Sequence, residues 1–295
     1  MLKKRISFKK VSEQIIEIII KFSGIFSIIL VGLIFIFLLK EGISVFKVVN
    51  PLDFIFNKQW HPISDPPAFG IFSLILGSFF VTAGATIIAL PLGIGSAIFI
   101  AEVAKGKTKE ILKIGIEFSA AIPSVVIGFI GMVVVVPVVQ KVFNLPTGLT
   151  ALTGSILLSI MAMPTIVSIA EDAITAVPKR YREAALALGA TRWQTIWRVV
   201  LRAASGGIVA ACMLGIGRVI GETMVVMMVT GNAARIPHSL LEPVRTLTAT
   251  IGAEMGETVQ GGEHYFALFA IGIVLFIIAF IINFTADLFL HKEKV

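Results

Sequence analysis

At 295 residues, 57% of them hydrophobic and only 15% charged, the chain is too oily for a soluble domain, where roughly a quarter of residues are charged. A mean hydropathy of +0.96 and apolar runs along most of its length indicate an all-α protein that crosses a membrane several times. The net charge of +7 is then read through its distribution among loops and not as a nucleic-acid signal, and the single cysteine, Cys212, excludes an internal disulfide.

The polar N-terminal stretch runs to about Lys21, and the apolar core from Phe22 to Leu39 is long enough to span a bilayer. No small-residue cleavage site follows it, so a retained first helix is expected at about 18–39. Residues 40–69, with Trp60-His61-Pro62 and Pro66-Pro67, predict an ordered external loop with little regular structure. Spans follow at about 70–101, 112–139 and 149–170. Several exceed the roughly 20 residues a spanning helix needs, so tilt or a broken helix is expected, particularly at Pro91, Pro123 and Pro164. Between the second and third spans, Gly106-Lys107-Thr108 imitates the end of a phosphate-binding P-loop. The motif requires a glycine five residues before Gly106, and that residue is Ala101. Any ATPase must be a separate chain. Glu117 lies one helical turn after Lys113, which predicts an interfacial pair. Glu171 and Asp172 close the fourth span and face either the basic residues around Arg180 or water.

A compact polar helix is expected at about 178–190. Ala184, Ala185, Leu186, Ala187 and Leu188 follow Glu183 as strong helix formers, and Gly189 is a natural stop. Such a helix between two spans is either an ordinary interfacial helix or a handle for another protein. The fifth span, about 203–230, carries Arg218 and Glu222, which a continuous helix places on one face. Ala204, Gly207, Ala211 and Gly215 share that face within an arc of roughly 80°. Small residues let a neighbouring helix approach closely, so the two charges are expected on the packed side. They read either as a buried ion pair that fixes register or as a positive group presented to an anion, with Glu222 holding Arg218 when the path is empty. Arginine suits oxyanions because its planar fork donates to two oxygens at once. A polar stretch, 231–264, and a sixth span, about 265–290, complete the chain.

Basic residues set the orientation. Eighteen lie in the N-terminal stretch, in the loop from Lys105 to Lys113, in the loop from Lys179 to Arg202 and in the tail; six lie on the other side and Arg218 lies within a span. This bias places both termini and the 178–190 helix in the cytoplasm. The four histidines show no metal-ligand spacing, and no soluble segment is large enough to be an enzyme. Neither a metal nor a cofactor is expected.

Glu183-Ala184-Ala185, three residues, then Gly189 resembles the cytoplasmic coupling loop of ABC-importer permeases. From Phe69 onward the chain resembles the permease subunits of phosphate-specific ABC importers, the C-type more than the A-type. The stretches that carry this are Phe69-Gly70-Ile71, Ala89-Leu90-Pro91-Leu92-Gly93-Ile94, Ile122-Pro123-Ser124, Ala187-Leu188-Gly189-Ala190-Thr191 and, most specifically, the run from Gly217 through Arg218, Glu222 and Thr223 to Met224. Glu254-Met255-Gly256-Glu257 and His264-Tyr265 favour the C-type.

The resemblance implies a type I (MetI-like) permease fold of six transmembrane helices. A segment 1–68 with the first helix would precede a permease domain at 69–290. It implies a heterodimer with a second, A-type permease, a pair of ATPase subunits docked on Glu183, Ala184, Ala185 and Gly189, and a phosphate-binding protein on the outer side. The setting would be the cytoplasmic membrane of a bacterium or archaeon. It further associates Arg218 and Glu222 with phosphate passage; the adjoining Thr223 is expected beside them on the pathway. Rival readings are an importer of molybdate or sulfate, or an ion-coupled transporter without an ATPase. Two positions depart from the pattern. Leu201-Arg202 replaces a Leu-Pro, so the next helix is expected to begin with less of a kink, and Gly77-Ser78 replaces a Gly-Thr.

Overall fold

The computed structural model describes the chain from Leu2 to Lys292, with side chains from Ile16 to Thr285; the N-terminal cations Lys3 to Lys10 and the tail cations Lys292 and Lys294 fall outside the described side chains. The first helix, α1 (Leu2–Gly42), continues as a 3-10 turn, Ile43–Lys47. It packs on the last helix through stacked Phe35 and Phe276 (4.6 Å between ring centres) and edge-on Phe37 and Phe269 (5.4 Å). Its other faces expose isoleucine, leucine and phenylalanine, as a lipid-facing helix does.

The stretch 40–69 is more structured than expected. After the 3-10 turn comes α2 (Pro51–Phe56), with Pro51 pre-set at its first turn and the Asn50 side chain accepting from Leu52 N at 2.9 Å. A two-residue hairpin follows, β1 (Trp60–His61) antiparallel to β2 (Ala68–Phe69). Val45, Phe54, Trp60 and Phe69 supply the reason: they bury in one cluster with Leu247, Leu268 and Ile271, and that burial orders the segment despite its prolines.

Helix α3 (Phe72–Ile98) runs without a break through Pro91 and ends in a π-helical turn, Phe99–Val103. The expected third span, 112–139, is in fact two units. α4 (Gly106–Ala120) stops before Pro123, and the spanning unit is α5 (Ser124–Ile130), a π-helical turn at Gly131–Val135 and α6 (Val136–Val142). Pro123 disfavours helix at Ile122 and opens α5 instead. α4 lies against the end of α7 (Ala151–Thr175), which runs through Pro164 unbroken. There the buried Glu171 meets Lys109 at 3.0 Å and Lys113 at 2.7 Å, and Lys113 also reaches Asp172 at 3.4 Å. Lys113 thus pairs with α7 and not with Glu117, and Glu171 and Asp172 face α4 and not Arg180. The Glu171 carboxylate holds the Lys113 ammonium above the usual lysine range.

Beyond α7 come α8 (Lys179–Ala187), α9 (Arg192–Thr195), a π-helical turn at Ile196–Val200, α10 (Leu201–Ala203), α11 (Ser205–Ile220), α12 (Met224–Val229), α13 (Leu247–Glu254) and α14 (Glu263–Lys292). The segment Arg192–Ala203 meets α11 at 71°, so the expectation of less kink is wrong. The π-helical turn and the near-zero ψ of Ala204 make the bend without proline. The expected fifth span, 203–230, also breaks at Gly221–Thr223 between α11 and α12. Among the described residues five helices are long and apolar enough to cross a membrane, six if the bent pair counts as one span. The stretch 231–264 is no simple surface loop either, since Leu247, Thr248, Ala249 and Thr250 of α13 are buried.

α3 and α7 form the centre. Gly84 faces Ser155, Gly93 faces Ile166, and Ser155 Oγ donates to Val81 O at 3.1 Å. The two helices approach closely because small residues meet where their surfaces cross. Around them, one cluster unites α3, α7 and α12, a second lies at the α2–hairpin end, and a third unites the ends of α3 and α7 with Ile196, Val200 and Ala211.

Candidate functional site

The predicted small-residue face of α11 is correct as far as Gly215. Ala204 and Ala211 are buried, and an added Cβ at Gly207 would strike Ala173 and one at Gly215 would strike Ile166. The face therefore packs on α7. Arg218 lies beyond that contact. It is exposed, and its guanidinium makes no hydrogen bond or ion pair among the described residues.

The expected Arg218–Glu222 pair is absent, because α11 ends at Ile220 and Glu222 is no longer one helical turn above Arg218. Glu222 instead holds the break. Its Oε1 accepts from the backbone N–H groups of Met224 (3.0 Å) and Val225 (3.2 Å), satisfying the first turn of α12. Its carbonyl accepts from Thr248 Oγ1 at 2.8 Å, tying the break to α13. Thr223 precedes α12, and its hydroxyl lies 3.5 Å from Gly221 O. Both sequence readings of a paired Glu222 fail; what remains is a cation without a partner among the described residues, beside a helix break held by a carboxylate.

This assignment separates two substitutions. Glu222→Gln keeps an acceptor oxygen and is expected to leave the thermal unfolding midpoint of the detergent-solubilised protein nearly unchanged. Glu222→Ala strands the α12 amides and is expected to cost about 1–2 kcal/mol. Equal losses for the two would show that the charge and not the acceptor is what matters.

The helix expected at 178–190 is α8. Pro178 opens it, and it ends in a Schellman arrangement: Gly189 N donates to Leu186 O (3.0 Å) and Ala190 N to Ala185 O (3.1 Å). Gly189 has a φ of +82°, the left-handed conformation that favours glycine. Ala185 faces inward, while Glu183, Ala184 and Gly189 are exposed. Tyr181, Leu186, Leu188, Trp193 and Trp197 are also exposed, Leu188 by 89%. Gly106-Lys107-Thr108 forms the first turn of α4 and follows a helical turn, not a strand, so the P-loop likeness is superficial.

Two polar clusters escaped the sequence reading. Glu254 gathers three partners from three segments: Arg245 Nη1 at 2.6 Å, Trp60 Nε1 at 3.0 Å and His264 Nε2 at 2.8 Å. This joins the hairpin, α13 and α14. The second joins Glu102 to Arg182 and Arg192. Glu102 lies 80 and 90 residues from these arginines and Glu254 lies 194 from Trp60, and no local periodicity couples positions at that range.

Residues 89–294 match the family described as binding-protein-dependent transport system inner membrane component. The chain is 42% identical over 248 residues to the probable ABC transporter permease protein YqgH of Bacillus subtilis, covering 83% of this chain and 80% of that one. It is 36% identical to the phosphate transport system permease protein PstC of Mesorhizobium japonicum, covering 78% and 75%. Among solved structures, the inward-facing MetNI methionine ABC transporter superposes with a TM-score of 0.59 at 19% identity, covering 76% of this chain and 97% of that one. A bacterial ABC transporter that imports alginate gives 0.58 at 17%, covering 85% and 92%. The fold is thus that of the membrane permeases of ABC importers. The chain belongs to the family of binding-protein-dependent transport system inner membrane components.

Proposed function

We propose that this chain is the C-type permease subunit of an ATP-driven phosphate importer, forming half of the pathway across the cytoplasmic membrane. The observation that carries the reading is Arg218, an arginine with no partner among the described residues, next to the break between α11 and α12, within a run that resembles phosphate permeases. An unpaired cation within a span is costly and marks an ion path. Similarity to proteins named as phosphate permeases gives further support.

In this reading residues 69–290 make the permease domain and 1–68 add the first helix, with both termini in the cytoplasm. A second, A-type permease completes the path, a pair of ATPase subunits docks on Glu183, Ala184, Ala185 and Gly189, and a phosphate-binding protein delivers substrate outside. Closure of the ATPase pair on ATP displaces α8 and turns the path from inward- to outward-facing. Phosphate released outside then meets the guanidinium of Arg218, whose fork replaces part of the lost hydration with two charge-assisted hydrogen bonds. Glu222 and Thr223 shape the break that presents it.

The test is uptake by the complete complex in proteoliposomes with ATP inside. Labelled phosphate is expected to accumulate, and a tenfold excess of sulfate or molybdate to leave that uptake unchanged. Accumulation of either rival anion in place of phosphate would reject the substrate assignment while keeping the importer class.

A further inference from the structure

One side chain of α8 touches three elements. Arg182 donates to Glu102 Oε1 from Nε (2.9 Å) and Nη2 (2.5 Å), to Val177 O from Nη1 (2.6 Å) and to Ile174 O from Nη2 (3.0 Å). Ile174 lies in the last turn of α7 and Val177 just beyond it; Arg182 adds to the hydrogen bond that the Ile174 carbonyl accepts from Val177 N. Glu102 sits in the π-helical turn that closes α3. On the far side of Gly189, Arg192 of α9 donates to the Glu102 backbone carbonyl. Both arms of the α8–α9 loop are therefore fastened to one residue of the π-helical turn that closes α3. The side chains of Arg182 and Glu102 are only 22% and 11% exposed, so solvent screens the pair weakly.

From that turn α3 runs unbroken back to Phe72. Near its other end Ser78 Oγ accepts from Leu247 N at 2.9 Å, and the next residue, Thr248, donates to the Glu222 carbonyl at 2.8 Å. From Ser78 to Glu102 a helix is about 36 Å long. The covalent route from α8 to Arg218 is less direct. Each route passes one π-helical turn, but the covalent one adds the 71° bend before α11, where displacement is absorbed. We propose that Arg182 and Glu102 are positioning residues that make α3 the rod carrying the movement of α8 to the Gly221–Thr223 break. The inference rests on the reading that α8 docks a motor and that the break borders the path. Arginine suits the joint because its fork reaches the carboxylate and the α7 carbonyls together, which lysine cannot do.

The experiment reads phosphate uptake and ATP hydrolysis side by side on the complex captured through this chain and reconstituted in proteoliposomes. Glu102→Gln is expected to assemble and hydrolyse ATP while phosphate moved per ATP falls roughly tenfold. A second variant, Glu102→Cys with Arg182→Cys in a Cys212→Ala background, replaces the ion pair by a tie that can be switched on. A cavity of about 360 Å³ lined by Glu102, Arg182, Lys179 and Glu183 admits a short bifunctional thiol reagent. Applied to membranes before solubilisation, the reagent is expected to restore most of the lost ratio, an effect that a merely structural role for either residue does not produce. An unchanged ratio in Glu102→Gln, or no recovery on cross-linking, would overturn the joint. A parent complex that hydrolyses ATP but carries no phosphate overturns the substrate reading instead, so the two failures are distinguishable.

Discussion

Arg218→Gln is expected to lower ATP-driven phosphate uptake roughly 10- to 100-fold, the loss expected for a hydrogen bond to a charged group worth about 1.5–3 kcal/mol. The complex should still assemble, because Arg218 is exposed and holds no other side chain. The face that packs on α7 ends at Gly215, so the substitution leaves helix contacts intact. Arg218→Lys sharpens the interpretation: it keeps the charge but not the planar fork, and intermediate uptake is expected. Uptake by Arg218→Gln equal to the parent's, with normal assembly, would remove Arg218 from the path. The register role offers no refuge in that case, because no Arg218–Glu222 pair exists to fix register.

The second large effect is expected in α8. Leu186→Pro removes the amide that bonds the Arg182 carbonyl and sets the proline ring against it, costing about 3 kcal/mol in a helix of only nine residues. Because Leu186 is exposed and Ala185 faces inward, the damage falls on the loop surface before it reaches the bundle. ATP hydrolysis is expected to lose its dependence on the loaded binding protein, and uptake to fall to background. Glu183→Ala should act in the same direction but less, since it removes one exposed charge and leaves the helix. Measuring hydrolysis and uptake in the same proteoliposomes checks both. Normal coupling in Leu186→Pro would reject α8 as the docking element.

Much of this was legible in the residues. Hydropathy located most of the crossings because their apolar runs reach the length a bilayer demands, and α3, α7 and α14 lie within a few residues of the expected bounds. Gly189 marked the end of α8 because few residues other than glycine tolerate its φ. The small-residue face of α11 was read correctly for the same kind of local reason. The errors arose where tertiary contacts override local pattern. A spacing of four residues predicted an Arg218–Glu222 pair, but that inference assumes a continuous helix, and Gly221 ends it. Pro123 was singled out as a place for a break, yet Pro91 and Pro164 carried the same local signal and their helices run on; packing between α3 and α7 decides the difference. Glu102 meets Arg182 and Arg192, and Glu254 meets Trp60, across long stretches of sequence, so only the folded chain brings these pairs together.

The most direct measurement is phosphate accumulation in vesicles that hold the complete complex, with and without ATP, and in matched vesicles that lack the ATPase subunits. The account predicts accumulation against a gradient only with both ATP and the ATPase present, and its loss in Arg218→Gln. Accumulation driven by an ion gradient in vesicles without the ATPase would contradict it.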